Sequence, residues 1–138
     1  MKISYTYNDG GRSNYFDDRI NGMFNVSICD CVTRAIAIIE NIDYLEAYNL
    51  VSSYLKKNKT PDQGIKNTIV KNIFKDLGYV FVKKENGKMF KFHELPKDKK
   101  IVIHVNKHIC VFQNMITEDL FCLKENECVH WYFVKNKS

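Results

Sequence analysis

The period of the apolar positions changes along the chain, and each change marks an element. KISYTY at 2–7 has the alternation of a short strand, and the Gly- and Asn-rich stretch from Asn8 to Asn25 then reads as a loop. Tyr15, Phe16, Ile20, Met23 and Phe24 give that loop enough apolar bulk to pack against the body of the protein, and a packed loop ahead of a helix is a place for site residues. From Cys31 the spacing becomes helical. Val32, Ala35, Ile36 and Ile39 lie on one face, and Asp30 stands where it would cap the free amides of a helix ending near Asn41. Asp43 and Glu46 form a capping-box pattern ahead of Tyr44, Leu45, Tyr48, Val51 and Leu55, which predicts a second helix through about Lys56. KKNKTPDQG breaks it. A third helix is expected from Ile65 to Leu77, with Ile69, Ile73, Phe74 and Leu77 on one face and Gly78 ending it in a left-handed conformation.

Beyond Gly78 the period falls to two. YVFVKK, the ENGK turn and MFKF read as one hairpin, and IVIHV at 101–105 with HICVF at 108–112 as a second, closed by Asn106 and Lys107. Shorter strands are expected near 119–123 and 129–134. Helices first and strands second predict an α+β fold, the N-terminal helices packed on a small antiparallel sheet.

At 138 residues, the length fits one domain spanning 1–138, and a composition 45% apolar and 27% charged can fill a core. No long apolar run suggests a membrane span or a secretory leader, so a cytoplasmic protein with reduced thiols is expected of the five cysteines, Cys29, Cys31, Cys110, Cys122 and Cys128. Glycine-rich phosphate loops are missing from the sequence, which argues against dinucleotide and P-loop enzymes. The net charge of +5 is carried by Lys, with Arg12, Arg19 and Arg34 the only arginines, so it leans weakly toward acidic partners without promising base readout.

Cys31 is the leading candidate nucleophile, because a thiol in the first turn of a helix faces unpaired amides and the positive end of the helix dipole. Cys29 competes with it from outside the helix, where an extended Cys-Asp-Cys segment would turn its side chain away from that of Cys31. His108 at a strand start is the candidate base, opposite Val105 across the hairpin and sharing a side with Cys110 and Phe112. Asp119 is a candidate to orient the imidazole; Asn106 and Asp98 are further options, while Glu118 would face the other way. Asn25 is a candidate donor to a developing oxyanion, beside the Cys31 amide. The eight Cys and His donors permit a zinc site in principle, but they lack a C-x-x-C pair or finger spacing, and no cofactor is expected. The Lys clusters at 56–59, 83–84 and 97–100 permit weak binding to nucleic acid or simply keep the surface solvated.

The segment CDCVTRAIAIIENIDYLEAYNLV resembles the N-terminal part of small papain-like cysteine-peptidase domains of phages and bacteria, with their D/N-C-V-x-R-A pattern followed by an acidic-aromatic stretch, here DYLEAY. KHICVFQNMITED resembles their C-terminal part and keeps the family's His-to-Asp separation. The resemblance covers 25–55 and 101–122. It implies a papain-like fold and a thiol-dependent peptidase or amidase, with Cys31 as nucleophile, His108 as base and Asp119 as its orienter. Asn25 has an offset similar to that of the oxyanion-stabilising Gln of papain, and Arg34 matches the family arginine in what we read as a structural salt bridge. Lys107 replaces a usual Gly, and Gln113-Asn114-Met115 replaces the usual turn. The implied partner is a peptide or protein substrate. A noncatalytic papain-like protein that binds a host protein is the alternative from a different class, and nucleic-acid binding through Lys is the third.

Overall fold

The computed structural model describes residues 3–15, 19–20, 23–24, 29–120, 122–124 and 126–136, those at 19–20 and 23–24 by their backbone. Among them are three α-helices, α1 (Cys31–Ile39), α2 (Tyr44–Ser52) and α3 (Asn67–Asp76). The strands are β1 (Ser4–Tyr7), β2 (Arg19–Ile20), β3 (Met23–Phe24), β4 (Tyr79–Val82), β5 (Ile101–Val105), β6 (His108–Gln113), β7 (Ile116–Asp119) and β8 (Trp131–Lys135). Six of them form one sheet in the order β1-β7-β6-β5-β8-β4, and β2 and β3 pair separately. No described helix is long and apolar enough to cross a membrane.

The α+β class is as expected, but the sheet is mixed and not wholly antiparallel. β1 runs parallel to β7, in register from Ser4↔Ile116 to Tyr7↔Asp119. Parallel neighbours cannot be joined by a tight turn, and most of the chain lies between these two, so their pairing carries no local signal. The second expected hairpin is present, with Val105 paired to His108 across Asn106 and Lys107. The first is not. Asn86 and Gly87 are left-handed, as their turn chemistry suggests, yet β4 pairs with β8, and Phe90 bridges to Val129. The reason is burial: Phe90, Phe92 and Leu95 are drawn into the core, while Phe81 gains Phe133 as its cross-strand partner. The strand expected near 119–123 lies earlier, because Asn114 and Met115 both adopt positive φ and close a two-residue turn between β6 and β7.

Alternation along the central strands separates two cores, which is why IVIHV and HICVF read as almost continuous apolar runs. On one face Val102, Ile109, Val111, Trp131 and Phe133 receive Val32, Ala35 and Ile36 of α1 and Val70, Ile73 and Phe74 of α3. On the other, Ile101, Ile103, Val105, Cys110, Phe112 and Tyr132 are covered by Ile3, Leu95, Leu123 and Val129 with the two phenylalanines. Gly78 ends the α3 region at φ 91°, as its composition suggests. Asp30 and Asp43 precede α1 and α2, but neither makes a side-chain capping bond. Asp43 accepts instead from the Tyr15 hydroxyl, and Asp30 is taken by a buried network described below.

Candidate active site

Element ends bring the chemistry together. Cys31 is the first residue of α1, His108 the first of β6, and Asp119 the last of β7. Because β6 and β7 are antiparallel with Val111 opposite Glu118, the next step of the ladder sets Asp119 level with Cys110, beside the start of β6. His108 Nε2 lies 2.5 Å from Asp119 Oδ2, and the imidazole also hydrogen-bonds the Cys31 sulfur. With Nε2 committed to the carboxylate, Nδ1 is the nitrogen left for the thiol. The Ile109 amide is a further partner of the sulfur.

The electrostatics favour an ion pair. Burial opposes charge on Cys31, but the His108 hydrogen bond and charge, the Ile109 amide and the Arg34 charge outweigh it and hold the thiol below its ordinary range. Burial likewise opposes charge on His108, and the hydrogen bonds to Asp119 and Cys31 overcome it, raising the imidazole to about 9. Asp119 stays ionised despite its burial, held low by His108, Arg34 and the Leu120 amide. Cys110 is the contrast: burial pushes its thiol well up, and the neighbouring Asp119 and Cys31 charges add to that.

Behind this triad lies a chain of alternating charge. Arg34 gives Nε to Asp30 Oδ1 at 2.9 Å and a terminal nitrogen to Asp119 Oδ1 at 2.8 Å, with both carboxylates almost wholly enclosed. Asp30 Oδ2 accepts from Arg12 and from the Tyr44 hydroxyl, each at 2.7 Å. Arg34 is thus a salt-bridge residue, as expected, whereas Arg12 and Tyr44 are additions that sequence reasoning missed. One signal was present: GGRSN places an arginine between turn residues in a loop expected to pack. Gly10 (φ 69°) explains how the loop docks, since a Cβ there would stand 3.1 Å from the Arg34 carbonyl oxygen.

Cys31 and His108 open onto a cleft of about 180 Å³ that Cys29, Gly64, His104 and Lys107 also line. Cys29 was expected to point away; it is exposed at the same cleft, with its Cβ toward the Gly64 position. His104 stacks on Trp131 at 4.2 Å, and burial with nearby His130, His108 and Lys71 lowers its imidazole to about 4, so it is neutral at physiological pH. Glu118 faces Lys100 at 2.9 Å and stands outside the triad. Asn106 and Asp98 are exposed. Asn25 lies outside the described residues.

Among the described residues one set of three metal-ligating groups, His108, Cys110 and Asp119, brings its donor atoms within 4.8 Å of one another. Its His and Asp donors are already paired with each other and with Arg34, and its cysteine is held as the thiol, so the donor set fits a hydrogen-bonded triad better than a cation. Two lysines of the sequence clusters, Lys84 and Lys100, are tied to Glu94 and Glu118, and Lys135 is tied to Glu40. No family model, curated protein or solved structure matches this chain.

Proposed function

We propose that this chain is a thiol-dependent hydrolase of peptide or amide bonds, built on a papain-like arrangement. The observation that carries the reading is the contact of a helix-start thiol, Cys31, with an imidazole that a buried carboxylate orients, at the mouth of an open cleft. The Cys31 thiolate attacks the carbonyl carbon, forming a C–S bond. His108 gives its proton to the leaving amine as the C–N bond breaks, leaving a thioester. Water then attacks that thioester while His108 takes its proton, the C–S bond breaks, and the acid is released with the thiolate restored. Asp119 keeps the ring in the tautomer and orientation that both steps require.

The test begins with iodoacetamide near neutral pH, followed site by site by mass spectrometry. Cys31 is expected to alkylate faster than Cys29, and His108→Ala to slow Cys31 by about tenfold without changing the far-ultraviolet circular dichroism. An ordinary thiol is only a few per cent thiolate at pH 7, so complete ionisation bounds the gain at about 30-fold before the weaker nucleophilicity of a stabilised thiolate is deducted. Incubation with a mixed peptide library should then yield cleavage products that Cys31→Ala abolishes. Equal reactivity of the two cysteines, with no dependence on His108, rules the mechanism out; a reactive Cys31 with no cleavage would favour the noncatalytic binding protein.

A further inference from the structure

Next to the cleft runs a second groove, of about 200 Å³, with Leu55, Ile65 and Ile69 contributing apolar surface and Lys56, Lys59 and Lys66 at exposed positions. The two depressions share a wall: Gly64 and Ile65 line both. The segment they share is fixed beside the nucleophile, because the Cys29 amide donates to the Asp62 carbonyl at 3.2 Å and Cys29 bridges to Gln63. A chain seated with its scissile bond at Cys31 would therefore continue along the lysines.

What sets these lysines apart is that all three line one groove. Lys84, Lys100 and Lys135 are matched by glutamates, whereas Lys56, Lys59 and Lys66 make no ion pair with any of the described residues. The single carboxylate between positions 55 and 69, Asp62, is bonded to Thr60 Oγ1 at 2.5 Å. Three unmatched cations over apolar surface suit side chains that end in carboxylates and carry methylenes beneath them. Lys107 adds a further exposed cation at the cleft itself. Among the described residues the groove lining contains no aromatic ring on which a nucleobase could stack, unlike a single-strand binding channel.

We infer that the groove selects an acidic peptide segment, glutamate- or aspartate-bearing, next to the bond presented to Cys31. The inference rests on the thiol-hydrolase reading and adds its substrate class. Lys56, Lys59 and Lys66 act as specificity-determining residues that hold the carboxylates, while Ile65 and Ile69 receive the methylenes.

The experiment uses the full chain and peptidyl vinyl sulfones that differ only in carrying Glu, Gln or Lys at the positions flanking the electrophile. The thiolate adds across the vinyl bond and the adduct takes one proton, so Cys31 modification counts productive seating. At low salt the Glu probe is expected to modify Cys31 about tenfold faster than the Lys probe, with the Gln probe between them and the spread shrinking in high salt. Lys56→Glu with Lys59→Glu and Lys66→Glu should invert the order. Lys97→Glu with Lys99→Glu, in the loop that leads into the opposite end of β5 from the His108 turn, should preserve it. Equal rates for the three probes, an inversion by the remote pair, or stronger protection of Cys31 by a single-stranded oligonucleotide than by an acidic peptide of matched charge would each overturn the inference. Iodoacetamide separates the two failures. His108-dependent alkylation with no charge preference sinks the substrate class alone, whereas loss of that dependence sinks the hydrolase reading beneath it.

Discussion

Replacing Arg34 by methionine tests whether the charge chain holds both the fold and the triad. Methionine keeps an unbranched apolar stem but removes the guanidinium from between Asp30 and Asp119, two carboxylates with relative exposures of 2% and 1%. Breaking a buried ion pair from one side costs about 3–5 kcal/mol, because the charge left behind is neither solvated nor matched. Each carboxylate here retains other donors, Asp30 the Arg12 guanidinium and Tyr44 hydroxyl, Asp119 the imidazole and the Leu120 amide. The expected loss is therefore at the lower end, about 3 kcal/mol of a total near 5–15. With a urea slope of about 2 kcal/mol/M it moves the unfolding midpoint down by about 1.5 M. The sign of its pH dependence follows from the direction of the shifts: Asp30 and Asp119 are both held below 3.8 in the fold, despite burial, so their pairing stabilises above that value and is lost as the pH falls through the depressed values. The difference between wild type and Arg34→Met should accordingly be full at pH 7 and shrink toward pH 3. Cys31 alkylation should slow in the same variant, since the Arg34 charge favours the thiolate. A loss under about 1 kcal/mol at pH 7, or one that is unchanged at pH 3, would refute a role for Arg34 as the buried bridge.

Two further outcomes follow from the β5–β6 turn and the ion pair. Lys107, exposed at φ 56°, occupies the region that glycine favours, so Lys107→Gly should raise stability by about 0.5–1 kcal/mol in urea unfolding; a lower midpoint would contradict it. His108 is raised in the fold from 6.5 to about 9, so its contribution to stability is full below 6.5 and is lost as the pH rises through about 9. Peptide acylation should fall over that same alkaline limb, where the imidazolium is lost, while iodoacetamide alkylation of Cys31 does not; parallel profiles for the two reactions would remove His108 as the proton donor.

The starts of α1 and β6 were legible because a change of hydrophobic period marks where an element begins, and Cys31 and His108 stand at those changes. Asp119 was one of several candidate orienters in the residues, singled out by the family resemblance; it does contact His108, although its strand lies earlier than expected. What could not be read depends on distant partners. Asn86-Gly87 supplies a genuine turn signal, but which strand β4 joins is decided by burial of Phe90 and Phe92 and by the β8 aromatics. Asp30 has the residue type and position of a helix cap, and only the fold reveals that Arg12, eighteen residues upstream, claims its carboxylate instead. A capping signal and a buried-network signal are the same letter in the sequence; burial of the group decides between them.

The same dependence on surroundings chooses between two cysteines near one imidazole. Cys110 lies on the strand that carries His108, and its sulfur sits within 4.8 Å of the ring and carboxylate donors, so proximity alone would nominate it. Yet it is 2% exposed in an apolar face, where burial and the Asp119 charge both favour the neutral thiol. Cys31 meets the ring from the helix side, with the Ile109 amide and the Arg34 charge to hold a thiolate and a cleft through which substrate can arrive. A nucleophile requires ionisation and access together, and of these two sulfurs Cys31 is the one whose thiol is held below its ordinary range and which lines the cleft. On the proposed hydrolase reading, the buried chain from Arg12 through Asp30, Arg34 and Asp119 to His108 would fix a carboxylate against the ring, so that the proton His108 carries is directed at Cys31 and the cleft.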